Sequence, residues 1–380
     1  MLTRPAKYVL CTVIMNGLQS DCETIVGFCY SGDDLIDTPN DWNGQNASCS
    51  NFDKILHEKW KKAEDSGILK YTLSDCEYKV LSGDISDESA SYVAQLNPQR
   101  GFNRRKREAF DSMNQKFSPN QFNFTKIKNN EILFNLKPGD DTAVGIYKKN
   151  NHIDATDHSN DNLVAVNISP IDNCHVLVIP SCSTCQPQRL TTISLLMAMD
   201  VVQLSSRPDF RVGFNSLYAW ASVNHLHYHA MLFNFKLFID DLDSSTLLQD
   251  HCFIIEKSYM NLGFLFHVPM DALKRIEVAK QVVSITEMFH KREVPYNIEI
   301  TRSTKSNIDT RIFLWPRKSM KDLTPSPCFD VACVDLGGQI KIKKKTEFTS
   351  LTFAKAKKVL MEAGLDRTDF MQLIDEIKNM

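Results

Sequence analysis

A chain of 380 residues can hold two ordinary domains or one large two-part domain with a sizeable core. With 43% hydrophobic and 24% charged residues it reads as a soluble globular protein, which excludes the disordered and fibrous classes. A formal net charge of -2 offers no field to draw nucleic acid or an anionic membrane, so a phosphate-bearing ligand has to be gripped by local groups.

Residues 1–52 read as a variable N-terminal extension, with Gly32-Asp33-Asp34, Pro39 and an Asn/Ser-rich stretch at 44–51. Within it, Tyr8–Met15 behind Arg4 and Lys7 imitates a signal peptide, but the run is short and no A-x-A-like site follows. No apolar run is long enough to span a bilayer. The 11 cysteines are odd in number and scattered, and Cys252 and Cys333 sit in apolar runs, so reduced thiols in a cytoplasmic protein are expected. Cys182-Ser183-Thr184-Cys185 is a C-x-x-C without a second pair nearby and reads as a loop rather than a zinc or redox site.

From Phe52 a helical pattern runs to Gly67, a C-terminal stop. The basic stretch Asn103–Arg107 is either a solvated loop or a lid facing phosphate. Gln121–Thr125 alternates and Glu131–Leu136 follows after a short turn, the pattern of a hairpin. Residues 138–161, rich in Gly, Asp, Asn and Lys, are expected as an exposed loop. Strands are predicted at 162–170 (NLVAVNISP), 175–180 (HVLVIP), Phe210–Phe214 and Asn224–Phe233, with a helix between Gln188 and Leu204. A long amphipathic helix is predicted over Ala272–His290, which holds neither Gly nor Pro.

An internal echo runs through this list. An Asn-bearing strand followed by HVLVIP in the first half is echoed by Tyr296–Ile300 followed by RIFLWP (311–316), and FRVGF is echoed by FDVACVDL. The expectation is an α+β fold of two related halves, 53–245 and 246–380, the second lacking the histidines.

Asn224-His225-Leu226-His227-Tyr228-His229-Ala230 holds three of the ten histidines at i, i+2 and i+4. In a strand all three would project from one face, with Leu226, Tyr228 and Ala230 on the other. Packing three imidazoles in a core is costly, because every ring nitrogen needs a partner. Read from the strand alone, three options stand: a histidine attacking phosphorus while its neighbours hold phosphate oxygens, an open zinc site, and a structural cluster.

The triad, with Asn215 and Ser222 upstream and the earlier NISPIDNCHVLVIP, resembles the histidine-triad superfamily; Cys174 stands where that superfamily usually has glycine, and His175 is in place. Gln95-Leu96-Asn97 with Arg100, Gln121–Lys126, Asn167–Pro170, Pro187-Gln188-Arg189 and Gly213–Leu217 are similar to the GDP-hexose phosphorylase branch of the galactose-1-phosphate uridylyltransferase-like group. The likeness covers roughly residues 53–345. It implies a histidine-triad-like antiparallel sheet with helices.

The resemblance also implies a chemistry. His227 would attack the α-phosphorus of a GDP-hexose to form a guanylyl-histidine, and inorganic phosphate would then release GDP, with no metal and no cofactor. His225 and His229 would orient the nucleophile and bind phosphate oxygens. Ser222, Asn215, Lys126, Asn97, Arg100 and His175 would line the phosphates or the nucleotide, and Asp335 takes the place of a carboxylate. His229 stands where the plant GDP-L-galactose enzymes carry glutamine, so the resemblance favours GDP-D-glucose as the substrate. Discharge of the intermediate by water instead of phosphate is the rival within the fold. The implied partners are small molecules, with no nucleic acid and no membrane, and the oligomeric state is left open.

Overall fold

The computed structural model describes residues 25–42, 49–81, 92–104, 107–153, 161–240, 242, 246–255, 260–303 and 310–380. Its first half holds β1 (Gly27–Tyr30), α1 (Asn51–Asp65), β2 (Glu77–Leu81), β3 (Tyr92–Leu96) and α2 (Pro98–Phe102). It continues with β4 (Ile132–Pro138), α3 (Ala143–Asn150), β5 (Leu163–Val166), β6 (Val176–Ile179), α4 (Thr192–Leu204), β7 (Phe210–Asn215) and β8 (Tyr228–Leu232). The second half holds β9 (Thr246–Gln249), β10 (Cys252–Ile254), β11 (Phe264–Val268), α5 (Ala272–Lys291), β12 (Tyr296–Arg302) and β13 (Thr310–Pro316). It closes with α6 (Cys333–Leu336), β14 (Gln339–Ile342), α7 (Lys345–Ser350), α8 (Phe353–Ala363) and α9 (Arg367–Lys378).

Among the described residues, eleven strands form one sheet in the order β1-β4-β5-β6-β8-β7-β12-β13-β11-β10-β9, and β14-β3-β2 form a smaller one. The order reads alike outward from the β7–β12 junction: three strands, a helix (α4 or α5) and two more strands in each half. The two halves are therefore related; in the large sheet neighbouring strands run antiparallel except at the β1–β4 edge, and in the small one β14 and β3 are parallel. The echo itself is differently aligned from the sequence expectation. FRVGF (β7) corresponds to Tyr296–Ile300 (β12), and the histidine-bearing strand to TRIFLWP (β13). FDVACVDL is not a strand at all, because Asp335 caps a helical turn by accepting from the Ala332 N–H at 2.9 Å.

One face of the large sheet is apolar. Phe210, Val212 and Phe214 of β7 and Tyr296, Ile298 and Ile300 of β12 pack in one cluster with α4 and α5. The intervening residues Arg211, Asn215, Asn297 and Glu299 emerge on the opposite face and are nonetheless buried. That face is covered by the smaller sheet, α6 and α8, so β14 of the second half returns to pair with β3 of the first, Ile340 opposite Ala94. Buried polar side chains at alternate positions of central strands mark the side where a site is built.

Local chemistry explains the departures from the sequence reading. The leading segment is no mere extension, since β1 pairs in parallel with β4 and the Tyr30 hydroxyl donates to Asp200 Oδ2 at 2.8 Å. Helix α1 starts where Ser50 accepts from the Asp53 N–H at 3.0 Å, and Gly67 takes the left-handed φ of 70° beyond its end. No hairpin forms at 121–136. Asn123 instead caps a 3-10 turn over Phe124–Lys126, with its Oδ1 taking the Thr125 N–H at 3.1 Å. Residues 138–161 contain α3, capped by Thr142 and packed so closely that a Cβ on Gly145 would lie 2.2 Å from the Gly139 carbonyl. Helix α4 starts only at Thr192, where Thr191 and Ser194 form a capping box.

Candidate active site

The site grows from β8 and the extended residues before it. The strand is shorter than predicted, so His229 alone of the triad lies in it, paired with Gly213 of β7 and Leu177 of β6. Tyr228 and Ala230 point into the helix-covered core with Leu226, as alternation requires, and His229 takes the other face. His227 precedes the strand and is fixed by Gln188. The Gln188 carboxamide accepts from the His227 N–H at 2.9 Å, and donates to the carbonyls of His227 at 3.1 Å and Asn215 at 3.0 Å.

The hydrogen bonds assign the ring protons. His227 Nδ1 lies 2.7 Å from the His225 carbonyl, an acceptor only, so Nδ1 carries the proton and Nε2 presents a lone pair. His227 lines the cavity, and its Nε2 has no hydrogen-bond partner among the described residues. The His225 ring does not join it. Its Nδ1 accepts from the Phe124 N–H at 3.0 Å, and its Nε2 donates to the Cys182 carbonyl at 3.0 Å. His225 therefore acts through its backbone, and the expectation that its ring would hold phosphate is corrected. A metal shared by all three rings would require it to leave both partners.

His175 is fully buried and does not line the cavity, which corrects the expectation that it meets the phosphates; it pairs with His229 instead. Its Nδ1 accepts from the Ile171 N–H at 2.8 Å, so its Nε2 carries the proton and donates to His229 Nδ1 at 3.0 Å, with Asn167 Nδ2 3.2 Å from the same nitrogen. The remaining His229 nitrogen then carries a proton and is a donor toward the cavity. Burial strips water from all four rings and disfavours their charged forms: His225 and His227 are lowered to about 4, and His175 and His229 fall well below the ordinary value. After burial, the cations Arg100 and Lys341 bear further on His175 and, more weakly than the neighbouring imidazoles, on His229.

The cavity, about 140 Å³, has two unlike walls. Beside His227 it is apolar, with the Phe124 ring centroid 4.9 Å from the imidazole and Phe122, Ile127, Leu177 and Val223 around it. Toward His229 it is cationic, where Arg100 and Lys341 bear on the ring, and Arg104 and Lys343, the latter paired with Asp330, also line the cavity. Two of these cations come from β14 or the residue after it, so the second half completes a site whose histidines belong to the first.

Of the other expected residues, Ser222, Asn215, Asn97, Arg100 and His229 line the cavity together. Asn215 spends its Oδ1 on Asn297 Nδ2 at 2.7 Å and the Cys333 N–H at 2.9 Å, which turns its amide donors free for a ligand. Asn97 caps α2 at 3.1 Å through the Arg100 N–H, and the Arg100 guanidinium also donates to the Ser169 carbonyl. Lys126 is corrected: its ammonium donates to the carbonyls of Pro119 at 2.5 Å and Gln121 at 2.6 Å, and it does not line the cavity. Asp335 likewise pairs with Lys341 beneath the site. The sequence reading gave no role to Lys341, Lys343, Gln188 or the two phenylalanines. Arg104 belongs to the basic stretch whose alternatives were left open, and it faces the cavity; Arg105 and Lys106 lie outside the described residues.

Comparison with known proteins gives the family and the fold. Two family models match: GDPGP1-like, N-terminal domain, over residues 51–231, and GDPGP1-like, C-terminal domain, over residues 256–380. GDP-D-glucose phosphorylase 1 of Xenopus laevis is 32% identical, covering 93% of this chain and 96% of its own. GDP-L-galactose phosphorylase 2 of Arabidopsis thaliana is 28% identical, covering 86% of this chain and 79% of its own. The crystal structure of yeast Ap4A phosphorylase Apa2 in complex with AMP aligns with a TM-score of 0.57 at 17% identity, over 83% of this chain and 97% of that one. At that identity the likeness speaks for a shared fold alone.

Proposed function

The chain belongs to the GDPGP1-like family, and from that premise we propose that it is a nucleotidyltransferase converting GDP-D-glucose and inorganic phosphate to GDP and D-glucose 1-phosphate. The observation that carries the mechanism is the His227 Nδ1–H bond to the His225 carbonyl, which leaves Nε2 unprotonated and facing the cavity.

In the first step Nε2 attacks the α-phosphorus. The N–P bond forms, the bond from that phosphorus to the bridging oxygen breaks, and glucose 1-phosphate departs with the electron pair. The leaving group is a phosphate monoester whose second pKa is about 6, so it needs little protonation. In the second step a phosphate oxygen forms a bond to the same phosphorus, the N–P bond breaks, and GDP leaves. What remains for the protein is alignment and neutralisation of oxygens. His229, Asn215 and Ser222 line the cavity and would serve the α-phosphate, with His175 holding His229 in its donor tautomer.

The cationic wall suits an incoming phosphate dianion as well as the departing hexose phosphate, which supports phosphorolysis. The identity of the hexose follows the animal relatives; GDP-L-galactose is the alternative. Among the described residues no helix is long and apolar enough to cross a membrane. The scattered thiols support a cytoplasmic setting.

The test is to mix enzyme with GDP-D-glucose, with and without phosphate, and to trap protein during turnover. The reading expects phosphate-dependent GDP formation and an acid-labile GMP adduct on His227, absent from His227→Asn. Equal GMP release with and without phosphate would favour the hydrolase, and no adduct at His227 would sink the mechanism.

A further inference from the structure

We propose that Glu131 reads the base, its carboxylate accepting from the N1–H and 2-amino group of guanine held against Phe122 and Phe124. The inference rests on the guanylyl-transfer reading above and names the part of the same cavity that takes the base.

The polarity of the cavity says which end holds which part of the substrate. Phe124 sits against His227, while the electrostatic reach of Arg100 and Lys341 falls on His229 and His175. With the α-phosphorus at His227, the anionic hexose phosphate and the acceptor phosphate belong with the cations. The nucleoside is left with the apolar wall.

That wall has the composition of a base slot. Phe122 and Phe124 meet edge to face with centroids 5.9 Å apart, and Ile127, Leu177, Ala165 and Val223 complete it. Aromatic faces of this kind stack on any base, so they give affinity without choosing among bases. Selection needs a polar group at the rim.

Two carboxylates line the cavity, Glu131 and Asp330. Asp330 is neutralised by Lys343 at 2.5 Å. Glu131 makes no ion pair among the described residues; one of its oxygens accepts from the Lys128 N–H at 3.3 Å, and the other has no hydrogen-bond partner. It ends the 3-10 turn Asn129–Glu131, directly before Ile132, which packs with Phe122, Phe124, Ile127 and Leu177 in the apolar wall. A carboxylate offers acceptors only, and guanine presents two donors side by side, at N1 and the 2-amino group. Adenine presents an unprotonated N1 there and would meet a lone pair. A polar site left unmatched in this way rejects the wrong ligand far more strongly than an apolar pocket does.

The experiment compares wild type, Glu131→Gln and Glu131→Ala with the glucose diphosphates of guanosine, inosine and adenosine at saturating phosphate. Calorimetric binding of GDP, IDP and ADP accompanies the kinetics. Wild type is expected to prefer guanosine over both others. Both variants should lose at least about tenfold of the guanosine-over-adenosine ratio in kcat/KM, through KM more than kcat, and should no longer separate guanosine from inosine. Guanosine preference that survives in both variants would overturn the assignment while leaving the transfer reading intact. If wild type shows no base preference, the assignment falls as well; if it splits no sugar nucleotide at all, the reading beneath it falls with it.

Discussion

His175 Nε2 and His229 Nδ1 lie 3.0 Å apart across the β6–β8 ladder, joining two segments 54 residues distant into one proton-ordered pair. With Ile171 N–H fixing the far nitrogen of His175, the pair has one consistent direction of donation, which ends on the cavity side of His229. Replacing His175 with alanine frees the His229 ring to rotate and change tautomer. We expect kcat to fall by about a hundredfold, the scale of a catalytic group misplaced by an ångström, with KM for the sugar nucleotide little changed. His175→Asn, which can still donate, should recover part of the loss; steady-state kinetics on both variants would show otherwise if His175 merely fills space.

The pH profile should carry the mark of burial. With His227 lowered to about 4, its nucleophilic form persists well below the usual imidazole range. The acid limb of kcat/KM is therefore expected below pH 6, and a limb near 6.5 would contradict the desolvated, neutral nucleophile. Stability follows with a definite sign. As pH falls through about 6.5 toward 4, the unfolded chain takes protons that folded His225 and His227 refuse, so stability drops over that window and rises again as pH returns upward. Thermal melts at intervals between pH 4 and 7 would measure it.

The cationic wall should be separable from the nucleophile. Arg104→Ala and Lys343→Ala each remove a charge that lines the cavity without touching the histidine relay, and the second also strips Asp330 of the ammonium it pairs with at 2.5 Å. A charge-assisted hydrogen bond contributes about 1.5–3 kcal/mol, so KM for phosphate should rise roughly tenfold or more in each. Because the same cations receive the departing hexose phosphate, the first half-reaction, read as glucose 1-phosphate burst, should slow as well. An unchanged KM for phosphate in both variants would place these cations elsewhere in the cycle.

Gly213 lies opposite His229 in the ladder and beneath α6, where a Cβ would come within 2.6 Å of Cys333 Sγ. Gly213→Ala should push α6 outward and disturb the Cys333 N–H bond that orients Asn215. Overpacking of this kind costs about 1–3 kcal/mol, which a denaturant melt resolves, and activity should fall beyond the loss of folded protein. Cys333→Gly in the same chain makes room and should restore both.

Removal of residues 1–50 should destabilise the protein although no site residue is lost. The buried Arg302 guanidinium donates to the carbonyls of Ile36 at 2.7 Å and Asp37 at 2.8 Å, and Asp200 loses the Tyr30 hydroxyl. Stripping partners from buried charges costs about 3–5 kcal/mol. A shortened chain that melts with the full one would show that segment to be dispensable.

The sequence by itself determined the chemistry and much of the architecture. Three histidines at alternating positions, too costly to bury without purpose, pointed to the proposed reacting group once the resemblance was added, and the apolar periods placed α1, α4, α5 and the central strands. Those signals are local, written in spacings of two and of 3.6. What only the tertiary structure decided was long-range. The His225 ring turned to two backbone groups from other segments, Phe124 and Cys182, and Lys126 was drawn to its own turn. Lys341 and Lys343 reached the cavity because β14 pairs with β3 some 246 positions earlier (Gln339 opposite Val93). The halves were legible as a repeat yet misaligned, since a short apolar strand reads alike wherever it sits, and only the hydrogen-bonded order tells which strand answers which.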